Sequence, residues 1–289
     1  MNPSKVTVPK IRASKGHGPP LTMVTAYDFT SARLADRAGV DLILVGDSAA
    51  MVMLGESSTL PIKLDEMLVF VRGAARGAER ALVIGDLPFL SYGLNAGESV
   101  RNAGRLVQEG GAQAVKLEGG RAMAEHVARI VDCGIPVMGH LGLTPQSLHK
   151  MGGHKVQGKT IRAVEDLLAD ARALEDAGVF AVVLEGLPTR VAAVLSGTIG
   201  VPTIGIGAGA GWDGQVLVWQ DALGLNLSFA PKFVKHYARL EETVVDALGR
   251  FCQEVRDGKF PAAEHTYELT DAELDVWLSE LERAGADEP

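Results

Sequence analysis

Several polar residues that could carry acid, base or metal chemistry stand where short apolar runs of the sequence end. They are Asp47, Ser48, Asp86, Lys116, Glu118, His140 and Glu185. Residues two apart in a strand point to the same face, so Lys116 and Glu118 should project together. Carboxylates that share an apolar cavity raise one another's pKa unless a cation neutralises them. The residue types therefore predict an acidic site that binds a divalent metal ion.

The predicted ligands indicate which metal this site would take. Asp47, Asp86 and Glu118 offer only oxygen atoms, which suits Mg²⁺ with some waters retained and the remaining ligands taken from substrate. Zinc would require more His or Cys. Each carboxylate taken alone could instead cap the helix that follows its strand, but the coincidence of all of them favours a metal site.

The histidines are harder to assign from their surroundings. His140 could be a metal ligand or an acid, but a single imidazole between glycines is more typical of a residue that supports a metal ligand or packs in the core. His149 and His154 lie in residues 143–159, where the sequence shows no clear element. Loops of this length are often functional, so we predict a substrate loop beside the site.

A repeated unit predicts the elements that would position these residues. A glycine follows a helix-like stretch, and a short apolar run then ends in a polar residue. Four copies begin at Gly39, Gly111, Gly134 and Gly178, and four further apolar runs cover residues 21–27, 81–89, 201–208 and 214–223. Each run is short and apolar enough to be a strand buried on both faces.

Helices are expected between most of these strands. The clearest covers residues 160–177, with Thr160 as N-cap and Gly178 after its end. Eight strands alternating with helices favour a (β/α)8 barrel, which carries its site at the carboxyl ends of the strands. A doubly wound open sheet is the alternative, because the sequence does not show strand order.

The GIGAGA segment at 205–210 matches a loose dinucleotide-binding fingerprint. A strand-like run follows it, whereas that fingerprint requires a helix, so we reject a Rossmann domain here. The glycines could admit a flat or anionic ligand near the last two strands, or simply form a tight turn.

We predict three regions along the chain: an N-terminal arm at 1–20, a catalytic barrel at 21–260 and an acidic C-terminal extension at 261–289. The extension should contain one short helix, since Thr270 and Glu273 form a capping box ahead of an apolar stripe. Residues 262–289 hold nine acidic residues against Arg283 alone.

The composition narrows the class of protein further. The 289 residues carry 28 basic and 36 acidic side chains, with none of the basic surplus that binding to nucleic acid requires. Two cysteines are too few for a disulfide-rich secreted scaffold. No apolar run approaches the ~20 residues of a membrane span. We therefore expect a soluble cytoplasmic protein whose partners are small molecules, with no nucleic acid or membrane partner.

Several collinear stretches resemble the ketopantoate hydroxymethyltransferase family. They cover residues 25–28, 44–55, 86–89, 114–120, 135–147, 205–209 and 213–225. The resemblance runs from about Lys5 to Tyr267, and the residues from Glu268 onward fall outside the family pattern. It implies a (β/α)8 barrel of the phosphoenolpyruvate/pyruvate superfamily, acting in pantothenate biosynthesis.

The resemblance also implies an activity and roles for individual residues. The reaction would move a hydroxymethyl group from 5,10-methylenetetrahydrofolate to 3-methyl-2-oxobutanoate through a Mg²⁺-stabilised enolate, giving 2-dehydropantoate and tetrahydrofolate. Family members assemble as homodecamers of five dimers. By position, the resemblance implies that the metal ligands are Asp47, Asp86 and Glu118. It implies that the oxo acid is bound by Asp47, Ser48, Asp86 and Lys116. Glu185 would be the proton acceptor, and Lys116 would also be catalytic.

Two alternatives remain open on the sequence alone. A carbon–carbon lyase or mutase of the same superfamily, acting on a 2-oxo acid, would use a similar metal and enolate. Such lyases typically carry a reactive cysteine in a loop at the mouth, whereas Cys133 precedes a predicted strand and Cys252 lies in a late predicted helix. A barrel that only binds a metabolite would need no base such as Glu185.

Overall fold

The computed structural model describes residues 4–225, 231–267 and 272–286. Parallel strands close into a barrel in chain order, with β8 paired to β1. The strands are β1 Leu21–Thr25, β2 Leu42–Val45, β3 Leu82–Asp86, β4 Ala114–Lys116, β5 Val137–Gly142, β6 Ala181–Glu185, β7 Thr203–Ile206 and β8 Gly214–Leu217. The predicted (β/α)8 barrel is confirmed, and closure excludes the open sheet.

Helices follow most of the strands along the chain, and further helices lie before β1 and after β8. They are α1 Val8–Ala13, α2 Phe29–Ala38, α3 Ala49–Val52, α4 Leu64–Gly77, α5 Ala96–Gln108, α6 Ala124–Asp132, α7 Leu148–Met151, α8 Ile161–Asp176, α9 Thr189–Thr198, α10 Trp219–Leu223, α11 Leu240–Arg256 and α12 Ala272–Ala286. Short 3₁₀ turns lie at Arg121–Met123, Pro145–Ser147 and Ala263–His265.

The best-defined predicted helix is present as α8. The Thr160 hydroxyl accepts a hydrogen bond from the Ala163 N–H at 3.2 Å, which satisfies one of the free donors of the first turn. Gly178 follows the last turn with φ 94°, a left-handed conformation that a glycine adopts without strain. The N-cap and the stop signal were therefore both predicted correctly.

Two local expectations were wrong. Residues 143–159 contain a 3₁₀ turn and α7 instead of an element-free loop, because Pro145 favours the start of the turn and Gly152 ends α7 at φ 66°. The last apolar run stops being a strand at Leu217, and its second half forms α10. Neither difference moves a strand of the barrel.

Two apolar clusters explain why the barrel is stable. One lies between the strands and the surrounding helices. The other fills the barrel interior and includes Val6 and Ile11, packed with residues such as Leu42 and Ile204. Helix α1 therefore closes the amino-terminal end of the barrel and leaves the carboxyl ends of the strands as the open rim.

The chain divides into two compact units, Met1–Arg239 and Leu240–Pro289. The second unit contains α11 and α12, and within it the Phe251 and Phe260 rings meet edge to face at 5.6 Å. Thr270 of the predicted capping box lies outside the described residues. Among the described helices, none has the length and apolar character of a membrane span. The division into arm, barrel and extension stays a prediction.

Candidate active site

The rim of the barrel holds a buried ion pair between neighbouring strands. Asp86 ends β3 and Lys116 ends β4, and the sheet register places them opposite each other. Lys116 Nζ lies 2.8 Å from both carboxylate oxygens of Asp86. Burial lowers the pKa of Lys116, but the nearby carboxylates outweigh it and raise that pKa above its usual value. Lys116 is therefore a permanent positive charge within the site.

Asp47 lies beside this ion pair, just after β2. Its backbone N–H donates to Asp86 Oδ2 at 3.2 Å, and its own Oδ2 accepts from Gln146 Nε2 at 2.9 Å. Burial, followed by repulsion from Asp86 and Glu118, raises the pKa of Asp47 to about 8. The neighbouring Ser48 hydroxyl is hydrogen-bonded to the Tyr27 hydroxyl at 2.9 Å.

Gln146 connects residues of the site that are distant in sequence. Its backbone N–H donates to Glu118 Oε2 at 3.0 Å, and its side-chain amide donates to Asp47 and to the Leu87 carbonyl. Its side-chain oxygen accepts from the Tyr92 hydroxyl at 2.6 Å. Gln146 therefore fixes two carboxylates at once.

His140 lies between the remaining two carboxylates. Its Nδ1 is 3.3 Å from Glu118 Oε1 and its Nε2 is 3.2 Å from Glu185 Oε2. Neither contact has hydrogen-bond geometry, so both are ionic contacts. Burial and the charge of Lys116 lower the pKa of His140, but the two carboxylates outweigh them and raise it to about 9. A protonated His140 therefore compensates the charge of both glutamates.

Glu118 and Glu185 differ in their access to solvent. The Glu118 side chain is 3% exposed and that of Glu185 is 18% exposed. Burial raises the pKa of Glu118, but His140, Lys116 and the Gln146 N–H outweigh it and lower that pKa below its usual value. Glu118 is thus held ionised, and Glu185 is the carboxylate that a bound molecule can reach.

The charge balance of the site fits a divalent cation. The carboxylates are Asp47, Asp86, Glu118 and Glu185, and the cationic groups are Lys116 and protonated His140. When every group is ionised, two negative charges remain uncompensated, and oxygen donors of this kind suit Mg²⁺. Within the described residues, no three His, Cys, Asp or Glu side chains already surround a common point at ligand distances. Lys116 contacts both carboxylate oxygens of Asp86, whereas Gln146 contacts only one carboxylate oxygen of Asp47.

A cavity of about 800 Å³ opens beside these residues, and we call it the side cavity. Glu118, Leu141, Gly142 and Gln146 form part of its lining, so it is continuous with the acidic residues. Its other walls come from the segments that follow β3, β4 and β5 and from α8 between Ala163 and Asp170.

A family model described as ketopantoate hydroxymethyltransferase matches residues 5–263. The chain belongs to the ketopantoate hydroxymethyltransferase family. A protein from Moorella thermoacetica named 3-methyl-2-oxobutanoate hydroxymethyltransferase is 56% identical over 264 residues, which are 91% of this chain and 98% of that protein. A protein of the same name from Syntrophobacter fumaroxidans is 53% identical over 93% of this chain and 95% of its own length. The resemblance predicted from the sequence is confirmed.

Solved structures agree with the barrel of this ketopantoate hydroxymethyltransferase family member. A phosphonopyruvate hydrolase structure, solved with oxalate and Mg²⁺, has a TM-score of 0.58 at 16% identity and covers 96% of both chains. A 2,3-dimethylmalate lyase, titled a member of the PEP mutase/isocitrate lyase superfamily, has a TM-score of 0.55 at 16% identity and covers 98% of both chains. At these identities the likeness shows the fold alone.

The structure brings most of the predicted site residues together. Asp47, Asp86, Lys116, Glu118, His140 and Glu185 form one network of contacts at the rim. Ser48 follows Asp47 in the chain, and its hydroxyl is hydrogen-bonded to Tyr27. His149 and His154 are exposed, whereas the acidic residues of the rim are buried or partly buried. The structure thus separates them from His140.

Gln146 belongs to this network, and the sequence analysis did not single it out. It follows β5 in a stretch treated as a loop, and no motif marks a glutamine as a link between carboxylates. The usable signal was its place in the segment 135–147, which resembles the family and contains His140. Its contact with Asp47 spans 99 positions along the chain, which no local pattern reveals.

The cysteines lie away from the network. Cys133 follows α6 and precedes β5, so it lies at the end of the barrel opposite the rim. Both Cys133 and Cys252 are exposed.

The glycine segment after β7 forms a tight turn. Its Gly209 carbonyl accepts from the Trp212 and Gln215 side chains, both at 3.0 Å. Strand β8 follows it, as expected when the dinucleotide fingerprint was rejected.

Proposed function

We propose that this chain transfers a hydroxymethyl group from 5,10-methylenetetrahydrofolate to 3-methyl-2-oxobutanoate. With one water consumed, the products are 2-dehydropantoate and tetrahydrofolate, in a step of pantothenate biosynthesis. The observation that carries this proposal is a buried set of carboxylates with Lys116 at its centre and the partly exposed Glu185 at its edge. Family membership supports the choice of substrates.

In this proposal the acidic residues hold Mg²⁺ together with the oxo acid. Asp47, Asp86 and Glu118 supply the protein ligands, directly or through water. A bound Mg²⁺ would add positive charge next to the carboxylate and keto oxygens of the oxo acid. Asp47, Ser48, Asp86 and Lys116 contact the oxo acid and fix its orientation toward Glu185.

The chemical step assigned to the protein is removal of a proton from a carbon next to a ketone. Such a hydrogen is weakly acidic, so the developing enolate oxygen needs nearby positive charge. Lys116 supplies that charge and stays protonated because carboxylates surround it. Glu185 accepts the C3 proton. Water converts the one-carbon unit of the donor to formaldehyde, which breaks its C–N bonds and releases tetrahydrofolate. The enolate carbon then attacks the formaldehyde carbon, and protonation of the resulting alkoxide gives the hydroxymethyl group.

His140 supports Glu185 without touching the substrate. Its ring lies between Glu118 and Glu185 and reaches both carboxylates. The imidazolium charge holds the Glu185 carboxylate in place through the 3.2 Å contact between His140 Nε2 and Glu185 Oε2.

Proton exchange separates this proposal from a barrel that only binds a metabolite. The C3 signal of 3-methyl-2-oxobutanoate is followed by proton NMR in D₂O with the chain and Mg²⁺, first alone and then with tetrahydrofolate and formaldehyde. We expect deuterium at C3 in the first sample and 2-dehydropantoate in the second. Absence of both changes would contradict the proposal.

The remaining parts of the proposal follow from the family resemblance. We propose a homodecamer of five dimers in the cytoplasm, built from chains with an arm at 1–20, a barrel at 21–260 and an extension at 261–289. Sedimentation velocity tests the assembly: a monomer at micromolar concentration would contradict it.

A further inference from the structure

We infer that the side cavity binds the fused reduced pterin ring and the aminobenzoyl ring of the one-carbon donor. This inference rests on the proposed function, because it assigns a location to the second substrate of that reaction. The side cavity is distinct from the group of side chains that would hold the oxo acid. Its size, position and lining each support this assignment.

The size of the side cavity exceeds what the oxo acid needs. Its volume of about 800 Å³ lies in the range of ~300–1,000 Å³ that is typical of sites for drug-sized ligands. A five-carbon oxo acid is much smaller than this volume, and in the proposed function it is held among Asp47, Asp86 and Lys116. None of those three residues lines the side cavity. The space therefore suits a second, larger molecule.

The position of the side cavity lets that molecule reach the reacting carbon. Gly142 lines the cavity and is the register partner of Glu185 in the sheet. Glu118 also lines it and contacts the same His140 that contacts Glu185. A ligand in the side cavity thus lies next to the proposed base without displacing Asp86 or Lys116.

The walls of the side cavity suit flat aromatic rings. Leu90, Met123, Leu141, Met151 and Leu167 line it, and methionine thioethers make favourable contacts with aromatic rings. The wall near Met123 has no space for a side chain at Gly119 or Gly120. A Cβ at Gly119 would come within 2.8 Å of Met123 Cγ, and one at Gly120 would come within 2.2 Å of the Asp170 side chain.

Polar groups at the edge of the side cavity suit the hydrogen-bonding parts of the donor. Arg121 contacts Asp166 Oδ1 at 2.9 Å and Asp170 Oδ1 at 2.8 Å, which fixes both carboxylates on the wall. Carboxylates accept from the amino and amide N–H groups of a pterin ring. Lys150 is exposed and also lines the cavity, so its charge is available to the carboxylates of the donor's glutamyl tail.

Filling the side cavity tests the assignment. Ala163 lines it from the first turn of α8, and Ala163→Phe adds an aromatic ring to that wall. Ala169→Phe is the matched control, since Ala169 lies on the same helix with similar partial exposure but outside the lining. Thermal unfolding compares the two folded variants, and Ala163→Leu replaces Ala163→Phe if the larger residue prevents folding.

Two measurements are made on each protein: tetrahydrofolate binding by titration calorimetry, and Mg²⁺-dependent C3 exchange of the oxo acid without folate. We expect Ala163→Phe to weaken tetrahydrofolate binding at least tenfold and to leave exchange within twofold of the unmodified chain. Ala169→Phe should change neither. Unaltered tetrahydrofolate binding in the cavity-filling variant would overturn the inference, as would a parallel loss of exchange. Absence of exchange in the unmodified chain would instead contradict the proposed function.

Discussion

Gln146 contacts the acidic network through both its side-chain amide and its backbone N–H. As a neutral amide it donates to Asp47 and to the Leu87 carbonyl and accepts from Tyr92, while its backbone N–H holds Glu118. A glutamate here would add a further carboxylate beside Asp47. The residue therefore orders the proposed metal ligands without competing for the cation.

Replacing Gln146 by leucine tests this ordering role. Gln146→Leu keeps the volume but leaves Asp47 and the Leu87 carbonyl without their donor, which costs ~1–3 kcal/mol of folding stability. We also expect the Mg²⁺ concentration for half-maximal C3 exchange to rise ~10–100-fold, as when other partners of metal ligands are removed. Stability is measured by urea unfolding, and exchange by NMR during a Mg²⁺ titration.

The control for Gln146→Leu is Gln253→Leu, at an exposed position on α11. Gln253→Leu should change the free energy of unfolding by less than ~0.5 kcal/mol. It should leave the Mg²⁺ requirement for C3 exchange unchanged. If Gln146→Leu loses stability but keeps the wild-type Mg²⁺ requirement, then Gln146 has only a structural role.

Glu185→Gln tests the proposed base. The amide retains the shape of the side chain but cannot accept the C3 proton, so C3 exchange should fall ~10²–10⁴-fold. Affinity for the oxo acid, measured by calorimetry with Mg²⁺, should change by less than about threefold, because Glu185 lies at the edge of the buried set. Glu165→Gln, on the exposed face of α8, serves as control. Wild-type exchange in Glu185→Gln would exclude Glu185 as the base.

At the residue scale, much of the network could be predicted because its members share one local signature. Asp86, Lys116 and Glu185 each end a strand, and an apolar run that closes on a polar residue is visible without a structure. Gln146 lacks this signature, and its partners are brought near only by closure of the barrel. The position of His140 between two glutamates likewise depends on contacts between neighbouring strands.

At the element scale, Asp213 joins the N-terminal helix region to the strands of the barrel. One oxygen accepts from the Gly16 N–H at 2.8 Å, and the other accepts from the Thr203 N–H at 2.8 Å and from Lys15 Nζ at 2.9 Å. Burial raises the pKa of Asp213, but these donors outweigh it and hold the pKa below its usual value. The folded chain therefore favours the ionised carboxylate.

This arrangement predicts a pH-dependent contribution to stability. The pKa of Asp213 is lower in the folded chain than in the unfolded chain, where it is near ~3.9. The stabilisation that ionised Asp213 gives to the fold is therefore fully present above pH ~3.9. It is lost as the pH falls through the pKa of the folded state. Asp213→Asn should lower the free energy of unfolding at pH 7 by ~1–3 kcal/mol. The difference from wild type should shrink as the pH is lowered below ~4. Urea unfolding at several pH values measures both effects.

The control for Asp213→Asn is Asp132→Asn, because the Asp132 side chain is 66% exposed and pairs with Arg129 at 3.7 Å. Exposed pairs of this kind contribute ~0–1 kcal/mol, so little change is expected at any pH. A destabilisation of Asp213→Asn that is the same at pH 3 and at pH 7 would contradict the linkage argued for the carboxylate.

Elements were predictable where burial imposes a pattern. Strands β2 and β3 are buried along their whole length, which gives the continuous apolar runs that the sequence shows. Helix α8 was predictable because its sequence has an N-cap at Thr160, apolar residues at helical spacing and Gly178 after its last turn. Helix α7 has four residues, which is too short a segment to show apolar residues repeating at helical spacing. The sequence therefore gives no helical pattern for it, although Gly152 marks its end.

At the scale of the whole molecule, the proposed metal site would link cation binding to folding. Asp47 is buried beside Asp86 and Glu118, so its ionised form is unfavourable in the folded chain alone, and its pKa rises to about 8. A cation that balances this charge binds the folded chain and not the unfolded one, and it therefore stabilises the fold by mass action.

We expect the thermal unfolding midpoint to rise with Mg²⁺ concentration. The stabilisation should reach ~2.7 kcal/mol at a concentration one hundred times the dissociation constant. Because ligation requires the ionised form of Asp47, the effect should grow as the pH is raised from 6 through about 8. Differential scanning calorimetry with Mg²⁺, with EDTA and at matched ionic strength measures it.

Asp47→Asn supplies the decisive comparison for the whole molecule. The amide removes a buried charge, so the variant should be at least as stable as wild type in EDTA, whereas it should gain little from Mg²⁺ at any pH. Asp132→Asn should keep the full response, because Asp132 is on the surface of α6. Equal Mg²⁺ stabilisation of wild type and Asp47→Asn would show that the cation binds elsewhere, and the proposed roles of Asp86 and Glu118 as its ligands would then have no support.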